Sequence, residues 1–352
     1  MELQIQEQPP AVKVTERLDY IDIVKGLSII SIVLLHFEDG LIPSCVNAYI
    51  GGYMITAFYV AVGWIGAARN KDIPTKDLVS KRWVQLGKPY IYWSAIILIF
   101  DVILWTLGHF DTYIIERELY KTVTLRGIGT LWFLPALFGG EILWNWSKNK
   151  NNTFVYVVIL IAIVAYHVAF HYYFEGKNDT MSRMLNAPFQ SLSSMGDAWI
   201  GIAFGYSMFK LCSNFLNNNS TIVIFLAGLL LSLVAYISAN YNPYILLDKY
   251  ICPLLGPLGL FFIFKVVKIP YLNQYLKYWG VNSLGLMVIH FSLLLELSTI
   301  IQNKIDGTTD QTLYGWPSVC HFIICLIVSY FIVEAIKKYC PQLLGKAKPA
   351  NK

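Results

Sequence analysis

Residues 17–37 read RLDYIDIVKGLSIISIVLLHF, a short charged entry followed by an apolar run, and this stretch decides the class of fold. The run is long enough for a membrane-spanning helix. It carries Lys25 near its start and His36 at its far end. Eleven residues at 100° per residue amount to about three turns plus roughly 20°, so both side chains point to the same side of the helix. They stand about 16 Å apart along the axis at ~1.5 Å per residue. Ionisable groups at membrane depth are costly and usually serve a function. The plainer alternative is a lysine that snorkels into headgroups at one end and a histidine that is merely interfacial at the other.

The rest of the chain fits a membrane setting. Hydrophobic residues make up 56% and charged residues only 14%, where soluble domains carry nearer 25% charged. Ten apolar stretches have the length or periodicity of spans, near 20–38, 48–68, 89–108, 130–147, 153–173, 197–212, 221–239, 250–267, 279–301 and 318–336. The sixth is short and Gly-rich. The eighth holds Pro253 and Pro257 in its first turns, which neighbouring helices must re-satisfy. The fold class expected is therefore an all-α polytopic membrane protein of about ten transmembrane helices. Its organisation would be a cytoplasmic arm 1–19, a ten-helix domain 20–338 and a cytoplasmic tail 339–352. The arm through residue 16, with Pro9 and Pro10, reads as disordered. The soluble stretches 69–88, 109–129, 172–196 and 302–317 are too short to fold alone.

With the N-terminus inside, nineteen of the 27 lysines and arginines fall on cytoplasmic segments, including Arg69, Lys81, Arg82 and Lys88. Only seven, among them Arg117, Lys121 and Arg126, fall outside. The bias places both termini in the cytoplasm. It also accounts for the net charge of +5 with no nucleic-acid partner; the lipid bilayer is the partner that composition demands. No cleavable signal peptide is evident. Six cysteines form no CxxC pair and read as small apolar residues. His167 and His171 have a metal-compatible i, i+4 spacing, yet no third ligand is evident and they read as interfacial, so no metal site is expected.

Five stretches in order carry a family likeness. RLDYIDIVKGLSIISIVLLH, MITAFYVAVGW (54–64), KRWVQLGKPYIYW (81–93), LWFLPALF (131–138) and NSLGLMVIH (282–290) together resemble the membrane acyltransferase-3 family, more narrowly its branch of sugar O-acetylases that decorate bacterial surface polysaccharides. The first reproduces the family's basic residue, ten intervening residues and histidine as Lys25 and His36. There are departures. Gln85 stands where a second arginine often follows Arg82, Ile55 replaces a proline after Met54, and nothing in these residues resembles the family's optional soluble esterase-like domain, so a membrane-only member is expected.

The resemblance implies a multi-pass enzyme of the bacterial cytoplasmic membrane. It would move an acetyl group from cytoplasmic acetyl-CoA, with no permanently bound cofactor, to a hydroxyl of a surface polysaccharide or its lipid-linked precursor. The acyl-CoA donor and the glycan acceptor are its expected partners. His36 is then the general base, with Asp39 at i+3 or Glu38 as a possible orienting acid, or both acids as a solvated helix end. Lys25, Arg82 and Lys88 are candidates for the donor's phosphates, against the bland reading of positive-inside flanks. Further candidates are His290, a lone intramembrane histidine; Asp101 and Glu141, intramembrane acids suited to a sugar hydroxyl or a bundle contact; and Trp132, an interfacial aromatic. A secondary transporter is the rival class, since it too would have ten spans with buried ionisable groups. No matched pair of broken helices favours it.

Overall fold

The computed structural model describes residues 17–37, 42–70, 72–150, 152–174, 176–177, 179–241, 248–307 and 316–346. Among these every regular element is helical. In order they are α1 (Asp19–Phe37), α2 (Ser44–Tyr53), α3 (Thr56–Arg69), α4 (Thr75–Arg82), α5 (Lys88–Thr106), α6 (Thr112–Val123), α7 (Phe133–Asn149), α8 (Thr153–Phe174), α9 (Thr180–Asn218), α10 (Thr221–Tyr241), α11 (Asp248–Val266), α12 (Pro270–Val281), α13 (Ser283–Ile289), α14 (Glu296–Asp306) and α15 (Trp316–Tyr339). The expected disordered arm lies outside the described residues.

Seven helical stretches are long and apolar enough to cross a bilayer: Asp19–Phe37, Ser44–Arg69, Thr75–Thr106, Thr153–Phe174, Thr221–Tyr241, Ser283–Ile305 and Trp316–Tyr339. The protein is an all-α, multi-pass membrane protein. The other three expected spans are helical too but fall short of that measure. α7 has 17 residues, the apolar part of α11 is short, and α9 begins with a polar half. The reason lies in what each helix faces. The apolar windows of α8 and α10 are only 6% and 17% buried, so they present themselves outward, whereas that of α1 is 67% buried. A helix surrounded by protein can carry Gly140, Glu141 and Ser147, as α7 does. α9 is also far longer than the stretch 197–212: its 39 residues absorb 180–196, which read as an external loop, and Pro188 sits within it.

α1 is the central helix and packs most extensively on α12. Gly26 and Gly280 face each other at this crossing: a Cβ on the first would strike the Leu276 carbonyl, and one on the second the Asp22 carbonyl. Small residues let the two backbones approach this closely. On one side of α1 a buried cluster joins Ile29, Val33 and Phe37 to Trp93, Leu131, Leu134 and Leu286. On the other, Tyr20, Ile21 and Val24 meet Trp64 and Phe261, and the Trp64 indole donates to the Tyr20 hydroxyl at 2.8 Å.

Two of the helix prolines have a visible local accommodation. Pro257 has no N–H for the Pro253 carbonyl four residues back, and Thr56 Oγ1 donates to that carbonyl instead at 2.5 Å. Pro89 likewise frees the Gln85 carbonyl, and the backbone widens just there into a π turn over Trp83–Gly87. The segment after α15 is not a free tail up to residue 346. It turns at Pro341–Leu344, buries Leu344 and accepts a 2.8 Å bond from the Trp93 indole at the Leu343 carbonyl.

Candidate functional site

α1 borders a cavity of about 780 Å³, within the range of small-molecule sites. Lys25, Ile29, Ile32 and His36 all line it, so the single face inferred from spacing is one wall of one cavity. The opposing walls come from α3, α5, α6, α7, the stretch after α12 and the loop before α7.

At the His36 end two histidines meet. His290 is fully buried, and its Nε2 lies 3.4 Å from His36 Nδ1. Each ring returns to its own helix: His36 Nδ1 lies 2.7 Å from the Ile32 carbonyl and His290 Nδ1 lies 2.9 Å from the Leu286 carbonyl. A carbonyl only accepts, so both Nδ1 atoms carry the proton in the neutral rings. His290 Nε2 then offers a lone pair to the His36 Nδ1–H, and His36 Nε2 keeps its own lone pair as a base. Phe291 packs on His36 with ring centroids 4.7 Å apart. The sequence named both histidines but not their contact. The acids expected to orient His36, Glu38 and Asp39, lie outside the described residues; the orienting groups seen here are the Ile32 carbonyl and His290.

A second π turn begins at His290 and runs to Leu295. Such widened turns recur at functional sites. The loop before α7 presses on it. Gly129 (φ +51°) sits where a Cβ would crowd the Phe291 ring, and Thr130 Oγ1 donates to the Met287 carbonyl at 2.7 Å. Trp132 then leads into α7 from the cavity wall, with Pro135 in the helix's first turn, where no N–H is required.

At the Lys25 end the walls are ionic. Lys25 Nζ stands 3.3 Å from Asp22 Oδ1, and Asp22 also pairs with Arg17. Arg82 donates from Nε to Glu141 Oε2 at 2.5 Å and from Nη1 to Gln85 Oε1 at 2.6 Å. Gln85 therefore holds Arg82 rather than adding a second cation. Glu141 Oε1 is buried with no hydrogen-bond partner. Lys88 is exposed at the start of α5 and is not among the residues that line the cavity.

Asp101 and Glu141, together with Trp132, are on the cavity wall. The sequence reading missed α6, which brings Arg117, Glu118 and Lys121 to the same wall. Its signal was present: TYIIERELYKTV alternates apolar and charged residues at helical spacing. Arg126, in the following loop, donates to Gln190 at 2.7 Å and lies 6.0 Å from the centre of the Trp132 ring; burial pushes its guanidinium below its ordinary value. His167, read as interfacial, packs within the protein. It is buried, bonded to the Ile163 carbonyl at 2.8 Å and 3.2 Å from Asp197. No cluster of three or more metal-ligating side chains occurs among the described residues.

Neither a curated protein nor a solved structure matches the chain. A family profile described as an acyltransferase domain matches residues 18–336, which takes in α1, the paired histidines and every cavity wall. The chain belongs to the acyltransferase-3 family, and it is a membrane acyltransferase.

Proposed function

We propose that the protein is an O-acetyltransferase of the bacterial cytoplasmic membrane, taking acetyl from cytoplasmic acetyl-CoA and placing it on a hydroxyl of a surface polysaccharide or its lipid-linked precursor. The observation that carries this reading is the histidine pair on a cavity that also holds Lys25 and Arg82, each in an ion pair, on its wall. With ten spans and both termini inside, as the lysine and arginine bias favours, the Lys25 end faces the cytoplasm and the His36 end faces outward.

Lys25 meets the donor's phosphates as a point charge, and Arg82, steadied by Glu141 and Gln85, lies beside the path of the pantetheine arm. At the far end His36 Nε2 removes the proton of the acceptor hydroxyl as its oxygen attacks the thioester carbonyl carbon. The carbon–sulfur bond breaks on collapse, and the imidazolium returns the proton to the departing thiolate. While His36 is charged, its Nδ1–H bond to His290 Nε2 and the Ile32 carbonyl spreads the charge, a role analogous to the orienting partner of a catalytic triad.

Purified protein in detergent, with no gradient across a membrane, is expected to release coenzyme A from acetyl-CoA. Lys25→Ala should raise KM for acetyl-CoA more than it lowers kcat. Losing one hydrogen bond to a charged group costs about 1.5–3 kcal/mol, or roughly ten- to a hundred-fold. Asp22 keeps Arg17 as its partner in this variant, so the fold has no unpaired acid to accommodate. Lys25→Arg should retain most of the binding. Calorimetry showing that Lys25→Ala binds acetyl-CoA as well as the parent would make Lys25 a snorkelling residue. Protein that binds no coenzyme A, yet accumulates a solute in vesicles, would be a transporter.

A further inference from the structure

We propose that the turn Pro341–Leu344, with Gly345 behind it, is a positioning strap that holds Arg82 on the cavity wall at the donor end; this rests on the acetyl-CoA reading above and adds a residue to its donor side. The family profile ends at residue 336, so the match assigns this segment nothing. The turn follows α15 and is tied to three separate elements. The buried Trp93 indole of α5 donates to the Leu343 carbonyl at 2.8 Å. Leu344 packs against Gly285 at the start of α13, where a Cβ would stand 3.3 Å from it. Gly345 rests on the π turn Trp83–Gly87.

The contact at Gly345 is the tightest of the three. A Cβ there would strike the Gln85 carbonyl oxygen and stand 2.8 Å from the Gln85 Cα. The residue also adopts φ +65°, which glycine takes with least strain. Two bonds of its own close the turn: the Gly345 N–H donates to the Gln342 carbonyl at 3.0 Å, and the Lys346 N–H to the Pro341 carbonyl at 3.1 Å. Lys346 lies within electrostatic reach of Arg17, the partner of Asp22, so the turn sits at the same end of the bundle as Lys25.

What the strap backs is the residue that orients Arg82. Gln85 Oε1 accepts from Arg82 Nη1 at 2.6 Å, while Glu141 holds Nε. Two tethers fix the plane of a guanidinium, a rigid fork whose binding depends on its orientation. Gln85 is mounted on a π turn, which departs from the ordinary helical ladder, so its backbone position depends on what packs on it from outside. Displacing Gln85 frees Nη1 and leaves Arg82 on one tether. Gly345 touches no substrate; it is a positioning residue that acts through Gln85.

The test is steady-state kinetics for acetyl-CoA on purified full-length protein. Gly345→Ala, which pushes on Gln85, should raise KM for acetyl-CoA about ten-fold, the scale of one hydrogen bond to a charged group, with kcat changed less than about two-fold. Gln85→Ala should do the same. The double variant separates positioning from stability. Once the Gln85 side chain is gone, adding Gly345→Ala should leave KM within about two-fold of Gln85→Ala alone, whatever happens to the thermal midpoint. Trp93→Phe keeps an aromatic ring but drops the bond to Leu343. It should raise KM in the same direction, and it carries both comparisons if Gly345→Ala folds poorly. Parent-like KM in Gly345→Ala and Trp93→Phe overturns the strap, as does an effect that persists undiminished in the Gln85→Ala background. A parent that neither binds acetyl-CoA nor releases coenzyme A from it overturns the donor reading itself.

Discussion

Replacing His36 with alanine should lower acyl transfer by about 10²–10⁴-fold, the usual contribution of a positioned general base. Protein yield and oligomeric profile should remain those of the parent. The loss falls on chemistry because His36 Nδ1 reaches only the Ile32 carbonyl of its own helix, which the helical ladder also serves, and the neighbouring His290 ring. His36→Gln should lower kcat with donor affinity nearly unchanged, since no acyl-donor contact is assigned to the ring. The neighbouring histidine gives a graded control. His290→Gln can still accept from His36 Nδ1–H, so it should lose less activity than His290→Leu, which removes the acceptor from a fully buried position. Steady-state kinetics on purified variants reads both comparisons. Parent-like kcat in His36→Ala would remove His36 from the chemistry altogether.

The second large effect concerns folding. Gly280→Val should abolish recovery of monodisperse protein, because its Cβ would meet the Asp22 carbonyl and a backbone atom cannot move aside as a flexible side chain does. Overpacking in ordinary cores costs about 1–3 kcal/mol, and this contact falls at or beyond the upper end. The crossing also fixes the segment of α1 that bears Asp22 and Lys25, so any surviving protein should show weakened acetyl-CoA binding. Gly66→Ala makes the contrast. Gly66 lies in α3, and a Cβ there meets nothing within 4 Å, so alanine should be neutral or stabilising by up to about 1 kcal/mol from helix propensity. Thermal unfolding monitored by circular dichroism distinguishes the two.

The elements legible from sequence were those whose signal is local. The apolar face of α1 fixed the relation of Lys25 to His36, and the cavity runs along that face. Pro253 and Pro257 announced a helix whose backbone needed outside help, which Thr56 provides. Hydropathy reads what faces lipid, so α8 and α10 were plain, while α9, whose buried positions include Ser191, Ser193, Gly196, Gly201 and Gly205, was seen only in part. The contact between His36 and His290 joins residues 254 positions apart, and no single-sequence pattern encodes such a distance. The turn at Trp83–Gly87 has a local cause in Pro89; the one at His290–Leu295 has none in HFSLLL that we can identify. α6 was overlooked for a different reason. Its charges suggested a solvated loop, whereas folding turns Glu118 inward and leaves Leu119 exposed, the reverse of what polarity alone suggests.

The most direct measurement is the mass of the surface glycan from otherwise identical cells carrying the parent, His36→Ala or no copy of the gene. An acetyltransferase acting through the histidine pair should give glycan heavier by one acetyl group per modified repeat in the parent alone, with the other two matching each other. Equal masses in all three, or full acetylation in His36→Ala, would contradict it.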